Sequence, residues 1–176
     1  DREASIELPL DEAFRGGERG IALIDPESGE QRSYNVRIPA GVRSGQRIRL
    51  AGQGGRGGDG AGDLYLRIHL RPSEQFRLDG DDVYTPLPVT PWEAALGATV
   101  TLPTLDGSVR IKVPAGSSSG RKIRLKGKGY PGAGERGDLY AELRVDVPPS
   151  VSDEERDLLE RWAALSKFNP RDEAHS

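Results

Sequence analysis

VRIPAGVRSGQRIRLAGQG at residues 36–54 and IKVPAGSSSGRKIRLKGKG at residues 111–129 align with each other without a gap. Pro39/Pro114, Ala40/Ala115, Gly41/Gly116, Gly45/Gly120, Ile48/Ile123, Arg49/Arg124, Leu50/Leu125, Gly52/Gly127 and Gly54/Gly129 are identical between them. Self-similarity over such a span marks a unit used twice. The same register carries Gly62-Asp63-Leu64-Tyr65 onto Gly137-Asp138-Leu139-Tyr140, and a slightly larger one carries Glu12-Ala13 and Gly16 onto Glu93-Ala94 and Gly97.

Inside each copy the hydrophobic period is that of strands. Leu64, Leu66, Ile68 and Leu70 alternate with Tyr65, Arg67 and His69, and Leu139, Ala141, Leu143, Val145 and Val147 follow the same rhythm, which buries one face and wets the other. Shorter strands are expected at residues 5–8, 20–24, 32–38, 47–50, 99–102, 108–113 and 122–125, with the two Pro-Ala-Gly turns and Asp106-Gly107 between them. Brief helical turns are expected at residues 11–15 and 91–96, the second with Pro91 at a first helical position. The fold class is therefore all-β: two tandem, similar, β-sandwich-like domains with short helices, at residues 1–82 and 83–150, followed by a helix within 151–168. That tail helix starts at a capping pair, Ser152 and Glu155, and carries an apolar stripe of Leu158, Leu159, Trp162 and Leu165. A lone helix of this length is unstable in water, so the stripe is expected either to lie on the second repeat or to meet a second copy of the chain.

Composition narrows the chemistry. The 176 residues carry 25 Lys plus Arg against 28 Asp plus Glu, a net charge of −3 that gives no global attraction to nucleic acid or anionic membrane. With no cysteine there is no disulfide framework, thiolate zinc site or cysteine nucleophile. No apolar run approaches a spanning helix and residues 1–5 do not resemble a signal peptide, so the expectation is a soluble, cytoplasmic protein without a membrane partner. The absence of Met, even at position 1, predicts a chain that begins inside a longer gene product. Two histidines, His69 and His175, and no nucleophile motif leave no basis for a catalytic relay. No catalytic residue, metal ligand or cofactor is expected. The glycine run at residues 52–58 lacks the closing Gly-Lys-Ser/Thr of a phosphate loop.

Taken in order, Leu10-Asp11-Glu12-Ala13-Phe14-Arg15-Gly16-Gly17, the two PAG turns, both GDLY strands, Phe76-Arg77-Leu78-Asp79-Gly80-Asp81-Asp82, and Glu93-Ala94-Ala95-Leu96-Gly97 followed by Thr104-Leu105-Asp106-Gly107 resemble the C-terminal region of DnaJ-type co-chaperones, the forty-kilodalton heat-shock class, over nearly the whole chain. The resemblance implies two β-domains in series, a groove on the first that binds unfolded or partly folded polypeptides, delivery of those clients to a DnaK-type ATPase by the full-length protein, and a C-terminal helix that makes a homodimer. Only a turn, Asp25-Pro26-Glu27-Ser28-Gly29, stands where some members insert a cysteine-rich zinc module, and the J-domain is not in this stretch. The chain thus resembles the zinc-free subclass, able to hold clients against aggregation but not to drive the ATPase.

Carried onto this sequence, the resemblance places the peptide-binding groove at Ile6 and Leu8, Ile21 and Leu23, and Phe76, and dimerisation at Leu158, Leu159, Trp162 and Leu165. Period-two spacing puts each strand pair on one face, and the competing reading of all five groove residues is ordinary core. Thr99 and Thr101 make the equivalent surface of the second repeat less greasy. Basic residues cluster at Arg43, Arg47, Arg49 and Arg56 and at Arg121, Lys122, Arg124, Lys126 and Lys128. They fit either a solvated sheet face or, as in DNA-binding relatives, contacts to phosphates, a minor role.

Overall fold

Apolar–polar alternation becomes strand in both repeats, and the elements they share follow the same order in each. The computed structural model describes residues 1–25, 27–51, 56–57, 60–71 and 73–172. The first repeat contains β1 (Arg2–Pro9), α1 (Leu10–Arg15), β2 (Gly17–Ile24), β3 (Gln31–Ile38), β4 (Arg47–Leu50), the short pair β5 (Arg56–Gly57) and β6 (Gly60–Ala61), and β7 (Leu64–Arg71). The second contains β8 (Arg77–Asp79), β9 (Asp82–Val89), α2 (Pro91–Leu96), β10 (Ala98–Thr104), β11 (Gly107–Val113), β12 (Lys122–Leu125) and β13 (Leu139–Val145), and α3 (Asp153–Leu165) follows. Residues Asp1–Val145 form one compact unit and Asp146–Ser176 a second.

Each repeat pairs a sheet built on its long strand with a two-stranded hairpin. In the first, β7 lies between β1, which it pairs in parallel with Ile6 opposite Ile68 and Leu8 opposite Leu70, and antiparallel β4. The hairpin is β2–β3. In the second, β13 lies between β12 and parallel β9, the hairpin is β10–β11, and β8 adds an extra edge strand beside the start of β9. The parallel pairing is possible because β1 and β7, like β9 and β13, are separated by most of a repeat, long enough for the crossover that parallel strands require. The strands β8 and β9 are absent from the alternation pattern: Pro86 and Pro88 break the β-propensity signal of β9. Val147, by contrast, falls beyond the end of β13 and is exposed, because Pro148 and Pro149 follow it.

The inward faces make two cores. Leu8, Val36, Ile38, Leu66 and Ile68 lie in the first, and Val83, Leu102, Val113, Tyr130 and Leu139 in the second. Each such side chain contributes about 1.5–3 kcal/mol by leaving water. Gly16 and Gly97 close the two short helices at φ 64° and 82°. A Cβ on Gly16 would lie 2.5 Å from the carbonyl oxygen of Ile38, so the glycine shared by both repeats is required by backbone shape and by space.

The join between repeats is built from the first repeat's turn and helix. Leu10 and Phe76 are buried in the second core, and Phe14 packs against it with its ring tilted on that of Tyr130 at 6.2 Å. The fully buried Tyr130 donates its hydroxyl proton to the carbonyl of Val42 at 2.6 Å. Arg43 lies over the Tyr130 ring at 5.1 Å and donates to the carbonyls of Gly80 and Pro131 at 2.8 and 2.7 Å and to Asp81 at 2.5 Å.

Candidate functional site

Two of the first sandwich's open strand edges, those of β1 and β2, lie along one seam. β1 has β7 on one side only, and β2 has β3 on one side only; among the described residues no strand pairs with their other edges. Depressions mark both ends of the seam. One is lined by Ala4, Leu23, Ile24, Tyr34 and Leu64 with a rim of Arg2, Glu3, Asp25, Glu27 and Arg32, and the other by Leu8, Ile38, Glu12, Arg15 and Gly16 to Arg19. Residues 2–4 of β1 meet residues 23–25 at one end, and Leu8 meets residues 16–19 at the other, so β1 and β2 run in opposite directions along a common line.

Backbone direction along β1 follows from one bond. The Arg2 N–H donates to the Asp63 carbonyl at 2.9 Å, on the β7 side. Successive peptide groups of a strand point to opposite sides, so Ala4, Ile6 and Leu8 also face β7 while Glu3, Ser5 and Glu7 turn their N–H and C=O groups to the open edge. In the second repeat the Val83 N–H donates to the Asp138 carbonyl at 2.9 Å on the β13 side. The outward positions there are Tyr84, Pro86 and Pro88. Tyr84 is opposite Arg77 of β8, and the two prolines have no N–H to offer. The second repeat's edge is blunted at the two positions where the first repeat's is open.

The sequence-predicted groove residues are only partly brought together. Ile21 and Leu23 are half-buried on β2 and pack against the first core. Ile6 and Leu8 are members of that core, with Leu8 1% exposed, so their side chains form its floor. Phe76 lies elsewhere. It is buried in the second core and lines a separate cleft with Leu10, Leu70, Leu78 and Pro86. Ile24, 73% exposed at the end of β2, is the most solvent-exposed apolar side chain near the seam and was not singled out by the strand pattern, because its position continues the polar phase.

Charge at the seam is locally compensated. The Asp25 carboxylate is held down to about 2 by the Arg2 guanidinium at 3.0 Å and by the backbone N–H groups of Glu27 and Ser28 at 2.8 and 3.3 Å. Arg19 pairs with Glu12, and Asp11 with Arg15. The basic clusters are compensated in part. Arg49 pairs with Asp63, Arg124 with Asp138 and Lys128 with Asp106, while Arg47 lies over the Tyr65 ring. Arg56 and the glycine run at 52–58 fall largely outside the described residues, as does His175. One feature absent from the sequence reading is a row across the second sheet, Arg124–Tyr140–Tyr84–Arg77, in which the two tyrosine rings stack at 5.2 Å and Arg77 covers Tyr84 at 4.8 Å. The register of distant strands makes it, and no local pattern announces it.

The model of the DnaJ C terminal domain family matches residues 2–148. The chain belongs to the DnaJ C-terminal domain family. This DnaJ C-terminal chain is 46% identical over 183 residues to a protein named Curved DNA-binding protein from Coxiella burnetii, covering 98% of the chain and 58% of that relative. It is 46% identical over 172 residues to Chaperone protein DnaJ 2 of Synechocystis, covering 97% of the chain and 53% of the relative. It is 49% identical over 146 residues to Chaperone protein DnaJ 1 of Mycobacterium bovis, covering 80% of the chain and 37% of the relative. The chain thus spans about half the length of the relatives it matches, or less. Among its described residues no helix is long and apolar enough to cross a membrane.

Proposed function

We propose that the first repeat captures exposed apolar segments of unfolded polypeptides by strand addition along the β1–β2 seam. Main-chain bonds to an open edge give general affinity and apolar pockets select alternate side chains. The observation that carries this reading is the contrast in edge chemistry: Glu3, Ser5 and Glu7 offer outward backbone groups on β1, where Pro86 and Pro88 withhold donors on β9. Leu23 and Ile24, with Ala4 and Tyr34, supply apolar contact at one end of the seam. Names of relatives as DnaJ chaperones support the chaperone role. In this reading residues 1–82 hold clients against aggregation, 83–150 support them, and 151–168 join two copies so that two weak grooves act together by effective concentration. A full-length protein would pass clients to a DnaK-type ATPase.

The test is anisotropy of a labelled, unstructured Leu- and Phe-rich peptide titrated with wild-type chain and with Leu23→Glu, at low and high salt. A charge placed in the apolar end pocket should weaken binding at least about tenfold, with little response to salt. Binding that Leu23→Glu leaves intact, in a protein that remains folded, removes the seam as the site. A second reading, phosphate contacts by the basic strand β12, is favoured by the names of relatives as curved DNA-binding proteins. It predicts duplex binding that weakens steeply as salt rises.

A further inference from the structure

The second repeat already carries an added strand, and the chain itself supplies it. Strand β8 lies on the side of β9 away from β13, the side on which β1 of the first repeat has no strand among the described residues. It pairs antiparallel to β9, with Arg77 opposite Tyr84, Leu78 opposite Val83 and Asp79 opposite Asp82. Phe76 and Leu78 turn inward to the second core, Phe76 only 7% exposed. Arg77 turns outward, covers the Tyr84 ring and donates to Glu142 at 3.0 Å. The Ser73 hydroxyl accepts from the Gln75 and Phe76 amides at 3.1 and 3.3 Å and shapes the entry to this segment. An extended segment that lies along an edge strand and sends alternate side chains into the protein has the geometry of strand addition.

The common register of the two repeats carries the position of β8 onto β1. Leu64 and Leu139 are equivalent in the repeat, Arg2 lies opposite Leu64 and Val83 opposite Leu139. Arg2, Glu3 and Ala4 therefore stand where Val83, Tyr84 and Thr85 stand in the second repeat. The place opposite Arg77, filled by Tyr84 on β9, is filled on β1 by the exposed Glu3, whose carboxylate binds Arg67 one strand further in at 2.7 Å. Phe76, one step along from Arg77, lines a cleft with Thr85. The counterpart of Thr85 is the smaller Ala4, which lines the 390 Å³ end depression with Leu23, Ile24, Tyr34 and Leu64. The first repeat thus has an apolar recess at the level where the second holds Phe76, and a carboxylate at the level where the second holds Arg77.

We propose that the first repeat binds client segments antiparallel to β1, in the register that β8 takes on β9, and selects an aromatic residue followed by Lys or Arg. The aromatic ring enters the recess beside Ala4, and the cation lies outward, opposite Glu3. The inference rests on the strand-capture reading above and specifies its direction, register and preferred sequence. Glu3 turns its N–H and C=O to the open edge, so the residue opposite it receives main-chain bonds as well as the carboxylate. Side chains directly opposite on neighbouring strands are close enough for opposite charges to attract and like charges to repel. Arg67, one strand further in, tempers this preference without reversing it. The matching place on β9 is taken by the chain's own Phe76-Arg77-Leu78.

The test uses the full 176-residue chain and three labelled, unstructured peptides that differ only at two adjacent central positions: Phe-Arg, Phe-Glu and Ser-Arg. In anisotropy titrations the Phe-Arg peptide should bind tightest. Loss of the ring should weaken binding at least about tenfold, and reversal of the charge about threefold to tenfold. Glu3→Gln, an exposed and nearly isosteric change, should bring the Phe-Arg and Phe-Glu affinities together. Glu7→Gln, which removes a carboxylate lying opposite a different client residue, should leave their ratio unchanged. Direction is read by cross-linking. The chain has no cysteine, so Ser5→Cys places a single thiol opposite the peptide residue two before the cation in the antiparallel register, or two after it in the parallel one. A peptide with cysteine two places before the Arg should form the mixed disulfide under a glutathione redox buffer much faster than one with cysteine two places after it. Equal affinity for Phe-Arg and Phe-Glu, equal effects of Glu3→Gln and Glu7→Gln, or faster cross-linking of the second peptide overturns this register and leaves strand capture standing. Failure of all three peptides to bind the folded wild-type chain overturns both.

Discussion

Replacing Tyr130 with Phe deletes one oxygen from the join between the repeats and nothing else. The Tyr130 hydroxyl is the donor to the Val42 carbonyl at 2.6 Å, and the side chain is fully buried. Loss of a buried donor leaves that carbonyl without its partner, which costs about 1–2 kcal/mol. For a unit of this size that corresponds to a melting temperature lower by about 3–6 °C. Equilibrium urea unfolding of wild type, Tyr130→Phe, Arg43→Ala and the double variant measures both the cost and the coupling. Arg43 lies over the same ring and donates to Gly80, Asp81 and Pro131, so the two changes should be non-additive by at least about 0.5 kcal/mol. Alkaline titration gives an independent reading. Burial pushes the Tyr130 hydroxyl up to about 12, so the folded chain keeps this proton where the unfolded chain, titrating near 10, has lost it. The unfolded state then binds fewer protons, and stability falls as pH rises from about 10 to 12. Below pH 10 the group contributes no slope. In Tyr130→Phe the part of the alkaline slope that comes from this group should vanish. A Phe variant as stable as wild type, with the same alkaline slope, would show that the hydroxyl bond does not hold the repeats together.

Two further predictions concern the strand edges and the seam. Pro86→Thr/Pro88→Thr should restore outward donors to β9 without touching its inward Val83, Thr85, Leu87 and Val89, and light scattering should show concentration-dependent association through the newly opened edge; a variant as inert as wild type would mean that the prolines do not set edge behaviour. Asp25 is depressed to about 2 by Arg2 and the Glu27 and Ser28 amides. Its stabilising effect is therefore complete above the ordinary carboxylate range and is lost as pH falls from about 4 to 2, so Asp25→Asn should unfold with a shallower acid dependence, and an identical acid profile would assign no role to this turn.

The structure qualifies the sequence reading at particular residues rather than wholesale. The repeat, the long strands β7 and β13, the short helices and the Ser152 cap of α3 were all legible because each rests on neighbours within a few positions: a period of two, a turn triplet, a capping pair. The strand β9 was not, since Pro86 and Pro88 contradict β-propensity locally and are tolerated only because their missing N–H groups face an open edge. The groove was legible in part. Alternation placed Ile6 with Leu8 and Ile21 with Leu23, but it treats a core floor and an accessible wall alike. Phe76 shows the same limit. Its place in the chain follows the first repeat's long strand, yet its ring is buried with Leu10 and Val83 in the second core.

The sequence alone thus determined that this chain is a twice-used β unit followed by a capped amphipathic helix, because periodicity, turns and caps are local physical properties. The tertiary structure alone decided which strands lie at the sheet edges, where the stacked row of Tyr140 and Tyr84 forms, and that Tyr130 reaches Val42 across the join. Those depend on pairing register and on packing between residues far apart in the chain, and such contacts leave no mark on the pattern of any one segment.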